Sequence, residues 1–544
     1  MEKQRLKTRP NGTGPEIDTG KGEGTLVDLL DNACETYSDK IALACGSETL
    51  SYAKFGQSCH KLATFLNDKG LKKGDVVALM MPNVLAYPIS IFAVLQAGLR
   101  IVNINPLYTV TEVGKVLTDS GARAIIAFSP MRELVNGADI KGQLELVVLV
   151  SPGALAGSRA EEGLQGVHYL DAILAEEERD ATREQGDISG SDVAFLQYTG
   201  GTTGVPKAAM LTHANVLSAI RQYRSIAAGY TKSGSEIVLT PLPLYHIFAL
   251  VFNLLIHLSI GGTIVLITDP RQPQTIVEAM RRWPITIMTG VNVLYAGLLN
   301  AGVLTAGDVS SLKLCASGAT ALSRKIAEQW LDFTGCHISE GYGMTETSGI
   351  ISFQIEGEQH MHGTVGLPLP DTRISIRNQD GEELGPDEPG ELCIKGPQVM
   401  TGYLNNAEET ANVMTSDGFL RTGDIASIDE GGHISILDRS KDMINVSGFN
   451  VYPNEVEQVV GQFSGVLESA CIGIPDSGSG ETVKIVVVTT EGCDIDPDAL
   501  LHHCRQQLTA YKVPKIVEFV AQLPMTPVGK VLRRQVRELY GAQA

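Results

Sequence analysis

The sequence predicts an α/β protein in which two α/β subdomains and a small β-barrel form a large N-terminal domain, followed by a small α+β C-terminal domain. Three observations carry this. Short Val- and Ile-rich runs alternate with helix-length segments from Asp75 to Glu340, the rhythm of parallel strands and crossover helices. After His362 the pattern changes to short strands broken by turn signals. After Arg439 a compact helix, two strands and a helix follow, the size of a small domain.

Taken in order, Met1 to Gly24 is polar and Gly-rich without an apolar core, so it reads as a flexible tail and not as a secretory signal. Its Lys3, Arg5, Lys7 and Arg9 could touch a membrane surface, but a solvated end is the better reading. The first subdomain has strands at Asp75–Met80, Ile101–Asn103, Ala124–Phe128 and Leu146–Val150, with helices at Val84–Ala97 and Thr111–Ser120. Ser151–Asp187 reads as an exposed connection. The second subdomain opens with a strand at Val193–Gln197 and a helix at Asn215–Ala228. His246–Ile267 is the most apolar stretch, but His246, Asn253, His257 and Gly261-Gly262 would be costly in hydrocarbon; a buried helix, a turn and a strand explain it better. Asn378-Gln379-Asp380-Gly381 and Pro386–Gly390 punctuate the small β unit, and a boundary is expected at Asp438, giving domains 25–438 and 439–544. In the second of these, helices are expected at Asn454–Gly461 and Pro497–Leu508, with strands at Val466–Ile474 and Thr482–Thr490.

Composition narrows the function. The 544 residues carry 43 Lys plus Arg against 62 Asp plus Glu, a formal charge of −19, so the far field repels nucleic acid. Nine scattered cysteines without a Cys-x-x-Cys argue against a disulfide framework or a zinc site and fit a reducing cytoplasm. His502-His503-Cys504 has poor metal spacing, and Ser51-Tyr52-Ala53-Lys54 reads as a helix N-cap because the other motifs of a serine acyl-transfer enzyme are missing.

The most informative segment is Tyr198-Thr199-Gly200-Gly201-Thr202-Thr203-Gly204-Val205-Pro206-Lys207. Three Gly and three Thr in a strand-ending loop offer backbone N–H and hydroxyl donors to a polyphosphate, and the Lys adds a point charge. It is not a Walker A loop, because the Gly-Lys spacing fails and Ala208–Thr212 reads as a strand. By itself it is equally a flexible polar turn. Four further segments follow in order: Gly341-Tyr342-Gly343-Met344-Thr345-Glu346, Arg421-Thr422-Gly423-Asp424, Asp438-Arg439-Ser440-Lys441-Asp442 and Pro527-Val528-Gly529-Lys530.

With these, the chain from about Leu26 to Leu539 resembles the adenylate-forming superfamily of acyl-CoA synthetases, luciferases and peptide-synthetase adenylation domains. Asn105-Pro106-Leu107-Tyr108, Pro243-Leu244-Tyr245-His246, Lys395–Met400 and Val446–Glu455 look most like bacterial long-chain fatty-acid–CoA ligases. The resemblance implies ATP, Mg²⁺ and coenzyme A, with a fatty acid as the small-molecule substrate. It implies that Thr199 to Lys207 hold the β- and γ-phosphates, that Glu346 holds Mg²⁺, and that Tyr342 stacks on adenine with Gly318 and Ala319 on its other side. Glu340, Gly341, Gly343 and Thr345 belong to the same nucleotide site. Asp424 and Arg439 would bind the ribose, Lys530 would bridge the carboxylate and the α-phosphate, and His246 would sit beside the acyl and phosphate pockets, or be a satisfied core histidine.

The same resemblance makes the C-terminal domain mobile about Lys441, bringing Ser447, Gly448 and Phe449 to a pantetheine channel, and makes Tyr245, Val291, Tyr295 and Leu298 the acyl wall. Lys512, Lys515, Arg533, Arg534 and Arg537 would meet coenzyme A phosphates or form solvated faces. Singly, each residue has an ordinary reading: Asp424 a turn, Tyr342 a core aromatic, Glu346 a helix-end charge, Arg439 a surface ion pair, Lys441 a linker charge. Preserved order and spacing favour the functional one. Phe248-Ala249-Leu250-Val251 offers no acid to an amine, so an apolar acid is expected. Cys315–Thr320 departs from the Gly-rich form common in long-chain ligases, which leaves medium-chain and aryl acids open. A ligase acting on a carrier protein and an inactive nucleotide-binding scaffold are the alternatives; a homodimer and peripheral contact with the inner face of the membrane are compatible with the sequence.

Overall fold

The computed structural model describes residues 24–139, 142–153, 167–177, 188–199, 207–354, 363–476, 479–490, 492–526 and 530–541. The tail therefore lies outside the described residues, except Gly24, and so do Gly200 to Pro206 and Pro527 to Gly529.

Two sheets form the large domain. One has seven strands in the order Val167–Tyr169, Leu146–Val150, Ala122–Phe128, Val76–Met80, Arg100–Asn103, Val193–Thr199, Lys207–Thr212, parallel except for the last pair. The other has nine, from Leu367–Pro368 at one edge to Glu48–Ser51 at the other. Two sequence expectations need correction. Val193–Thr199 does not open the second subdomain but completes the first sheet, with Ile101 opposite Phe195. The supposed connection Ser151–Asp187 contains a strand, Val167–Tyr169, and a helix, Leu170–Ala175. Such short elements carry too little periodicity to be read, and only pairing with Leu146–Val150 makes the first of them a strand.

Between the sheets lies the helix Ala86–Gln96, apolar all round and buried from Ala86 to Leu95, as the centre of a shared core requires. The apolar stretch after His246 is a wholly buried π-helix, Ala249–Ile256, then Gly261 in the left-handed region and the strand Thr263–Leu266. No helix among the described residues is long and apolar enough to cross a membrane. Helix starts follow local chemistry: Ser51 Oγ accepts from Lys54 N–H at 3.3 Å, and Thr25, Thr109 and Thr212 each close a capping box.

Where a small barrel is expected, Arg373–Arg377, Gly390–Lys395, Leu420–Ile428 and Ile434–Arg439 form an antiparallel four-stranded sheet with Ile351 among its core residues. The small domain pairs Gly480–Thr489 with Val466–Asp476, Ile444–Val446 and Ile516–Phe519, packed by the helices Pro453–Gly461, Pro497–Gln507 and Arg533–Tyr540.

Burial sets an acid limit. His257 is fully buried, its Nδ1 2.7 Å from the Phe252 carbonyl, and burial pulls its pKa down to about 4. A folded pKa below the unfolded one means that the unfolded chain binds the extra proton between about pH 6.5 and 4, so stability from this group falls as pH falls. The stability gap between the wild type and His257→Gln should shrink by about 1.4 kcal/mol per pH unit in that window. Denaturant unfolding of both proteins at pH 7.5 and 5 checks it; a constant gap would refute it.

Candidate active site

The strand ends and the small domain enclose a single cleft of about 2030 Å³. Thr199 ends one strand and Lys207 begins the next, and the two are directly paired, so the Gly/Thr loop is pinned at its base on the cleft wall. Lys207 is ion-paired with Glu409, and its ammonium lies 5.6 Å from the centre of the Tyr403 ring. Tyr403 donates its hydroxyl proton to Glu346 Oε1 at 2.7 Å. Glu346 is 7% exposed in the turn Thr345–Thr347, and burial raises its pKa. A cation, a phenol and a buried carboxylate thus stand together at the loop base.

The opposite wall is built by the strand Ile338–Tyr342 and the four-stranded sheet. Tyr342 donates to Asp424 Oδ2, and Arg439 Nε lies 3.1 Å from Asp424 Oδ1. Asp424 and Arg439 are also register partners on adjacent strands, which fixes the pair without help from a ligand. The glycines here are tight: a Cβ at Gly343 would lie 2.2 Å from the Gly349 carbonyl oxygen, and one at Gly341 2.8 Å from the Phe353 ring. Gly318 and Ala319 line the same wall, Ala319 with φ +66°. The buried Oγ of Ser317 and Oγ1 of Thr320 have no hydrogen-bond partner among the described residues, and both residues line the cleft. Orphaned hydroxyls of this kind suit a polar ligand. Glu340, also on the wall, is pushed up to about 7 by burial.

From the small domain Lys530 enters the cleft, its pKa drawn down to about 8 by burial and by Arg439, against the opposing pull of Asp424. Lys441 lines the cleft too and is drawn down to about 8, by burial and again by Arg439. His246 faces Lys530. Burial and that ammonium hold His246 near 4, so it is neutral at pH 7, and its Nδ1 accepts from Phe248 N–H at 3.4 Å. The tautomer that fits carries its proton on Nε2.

The remaining candidates divide between the cleft and other places. Tyr245 lines the cleft, its carbonyl accepting from Gln197 Nε2 at 2.6 Å. Tyr295, Val291 and Leu298 do not line it: Tyr295 is fully buried against Trp330, with its hydroxyl 3.0 Å from the Ala316 carbonyl. The helix Asn292–Asn300 turns that face to the core and presents Asn292, Val293, Ala296 and Asn300 to the cleft instead. Ser447, Gly448 and Phe449 form an exposed turn away from the cleft, with Phe449 stacked on Tyr511 at 4.8 Å. Arg533, Arg537 and Lys512 are each paired with carboxylates, Arg533 with Glu457, Arg537 with Asp442 and Lys512 with Glu455. Tyr403 and Glu409 were invisible to motif reading, because only the fold brings their segment beside Glu346 and Lys207.

This geometry agrees with the comparisons. Residues 30–404 match the family model of the AMP-binding enzyme, and residues 455–530 match the AMP-binding enzyme C-terminal domain. The chain belongs to the AMP-binding enzyme family. It is 43% identical to a long-chain-fatty-acid–CoA ligase of Yersinia pestis over 99% of this chain and 98% of that one. It is 42% identical to the ligase of the same name from Salmonella typhimurium, with the same coverage. Among solved structures, ATP-bound MatB from Rhodopseudomonas palustris superposes with a TM-score of 0.85 at 30% identity, covering 95% of this chain and 99% of that one. ATP is a substrate of AMP-forming ligases of this family, and in this chain the Tyr342–Asp424–Arg439 array and Lys530 line the same cleft.

Proposed function

We propose that this AMP-binding enzyme activates a fatty carboxylic acid. A carboxylate oxygen attacks the α-phosphorus of ATP, the bond to the bridging oxygen breaks, and pyrophosphate leaves. Coenzyme A sulfur then attacks the acyl carbon, the bond to the AMP oxygen breaks, the thiol proton passes to solvent, and acyl-CoA and AMP result. The observation that supports this best is the convergence of Lys530 from the small domain on the cleft that holds Asp424, Arg439 and Glu346.

In this reading Asp424 and Arg439 take the ribose hydroxyls, Tyr342 packs on adenine, and Ser317 and Thr320 give their unused hydroxyls to the nucleotide. The loop from Thr199 to Lys207, with Gly200, Gly201, Thr202, Thr203 and Gly204, cradles the outer phosphates, Lys207 exchanging Glu409 for phosphate. Lys530 binds the carboxylate and the α-phosphate, where charge develops. Neutral His246 offers an Nε2–H beside them. Glu346, a hard oxygen donor kept buried and oriented by Tyr403, would be the residue to hold a Mg²⁺ ion beside the phosphates. When bound, the ion neutralises phosphate charge. We place the domain boundary at residues 438/439 and the hinge at Lys441; rotation there would bring Ser447 to Phe449 to the coenzyme A channel.

Relatives named for long-chain substrates and the absence of any acid on the buried helix Ala249–Ile256 support an apolar acid. Coenzyme A-dependent AMP release should rise along a series of straight-chain acids and be slower with aryl acids. Fastest turnover on an aryl acid would reassign the substrate class, and failure to release pyrophosphate with any acid would overturn the function.

A further inference from the structure

Only two residues separate Lys530 from Arg533, and hydrogen bonds to Thr526 and Pro524 hold this stretch in place. Lys530 N–H donates to Thr526 Oγ1 at 3.0 Å, Thr526 N–H to the Lys530 carbonyl at 2.8 Å, and Leu532 N–H to the Pro524 carbonyl at 2.9 Å. The chain then enters the helix Arg533–Tyr540. At its first residue the Arg533 guanidinium reaches four groups: Glu457 Oε2 at 2.8 Å, Asp438 Oδ1 at 3.5 Å, Asp442 Oδ2 at 3.9 Å and the Asn454 side-chain oxygen. Asp438 is wholly buried and accepts from Asn454 N–H at 2.8 Å and Arg439 N–H at 2.7 Å. Of the three carboxylates, only Asp438 precedes Lys441.

We propose that Arg533 is a positioning residue for the adenylation step: its ion pair with Asp438 latches the small domain in the pose that presents Lys530 to the nucleotide, and the latch opens when the domain turns for thioester transfer. This rests on the two-step reading above. If Lys441 is the hinge, rotation carries Arg533, Glu457 and Asp442 together and leaves Asp438 behind. Arg533 then keeps two carboxylates, so opening does not strand a buried guanidinium, whereas a lone buried pair would be too costly to break. Asp438 keeps its Arg439 N–H.

The test measures two half-reactions in the full chain: acid-dependent pyrophosphate exchange, and thioester formation from a supplied straight-chain acyl-AMP and coenzyme A. Arg533→Met should slow exchange by roughly tenfold or more, the equivalent of about 1.4 kcal/mol, and leave thioester formation within about twofold. Asp438→Asn, which alters only the arm on the large domain, should give the same split, and the double variant should be no worse than either single one. Parallel loss of both half-reactions in Asp438→Asn, no loss in either, or additive losses in the double variant would overturn the latch. Should Arg533→Met misfold, the split measured in Asp438→Asn decides alone. Wild-type protein that performs neither half-reaction would sink the underlying function instead.

Discussion

Lys530→Ala should abolish acid-dependent pyrophosphate exchange while largely sparing thioester formation from supplied acyl-AMP. In the proposed reading the ammonium meets a developing negative charge at a site where partial desolvation already disfavours its own charge. At an effective dielectric near 20, a charge pair at about 4 Å is worth roughly 4 kcal/mol. That corresponds to about a 10³-fold loss in rate. Equal loss of both half-reactions would refute the role. The pKa near 8 adds a pH signature. The charged form is the working one, so exchange in the wild type should decline as pH rises through about 8, and a subsaturating ATP titration across pH 7 to 9.5 would show it. Bound phosphate would raise that value, so the decline belongs to the free enzyme.

The second large effect is expected at the hinge. Lys441→Pro fixes φ where the reading requires rotation, so adenylation should continue while transfer to coenzyme A stops. Because the Lys441 ammonium lines the cleft, Lys441→Ala is the needed control: it removes the charge and leaves the backbone free to turn. Loss of thioester formation in both variants would assign the effect to the ammonium; loss in the proline variant alone assigns it to the hinge. Unchanged overall turnover in Lys441→Pro would count against domain alternation.

The strand and helix rhythm was legible because period and flanking turns survive in any context. Leu146–Val150 agrees to the residue, and Val84–Ala97 is the helix Ala86–Gln96. Sheet membership was not legible: nothing local to Val193–Thr199 says that its neighbour will be Arg100–Asn103, and the first strand among the described residues, Ile41–Cys45, pairs with Thr263–Leu266 far along the sequence. Three of the four residues expected at the acyl wall, Val291, Tyr295 and Leu298, do not line the cleft for a related reason. Tyr295 lies on the expected helix, but a turn of helix has two faces, and Trp330 and the Ala316 carbonyl claim this one.

The sequence by itself determined which chemical groups are available and in what order: a Gly/Thr loop, a carboxylate at 346, an Asp and an Arg at 424 and 439, and a C-terminal Lys at 530. Tertiary structure alone decided their protonation and partners. Burial and neighbouring charge bring Lys530 to about 8 and His246 to about 4, and packing makes Arg533 the centre of three carboxylates. Pattern and order are properties of the chain, whereas desolvation and Coulomb terms depend on distances through space, which are fixed only when remote segments pack.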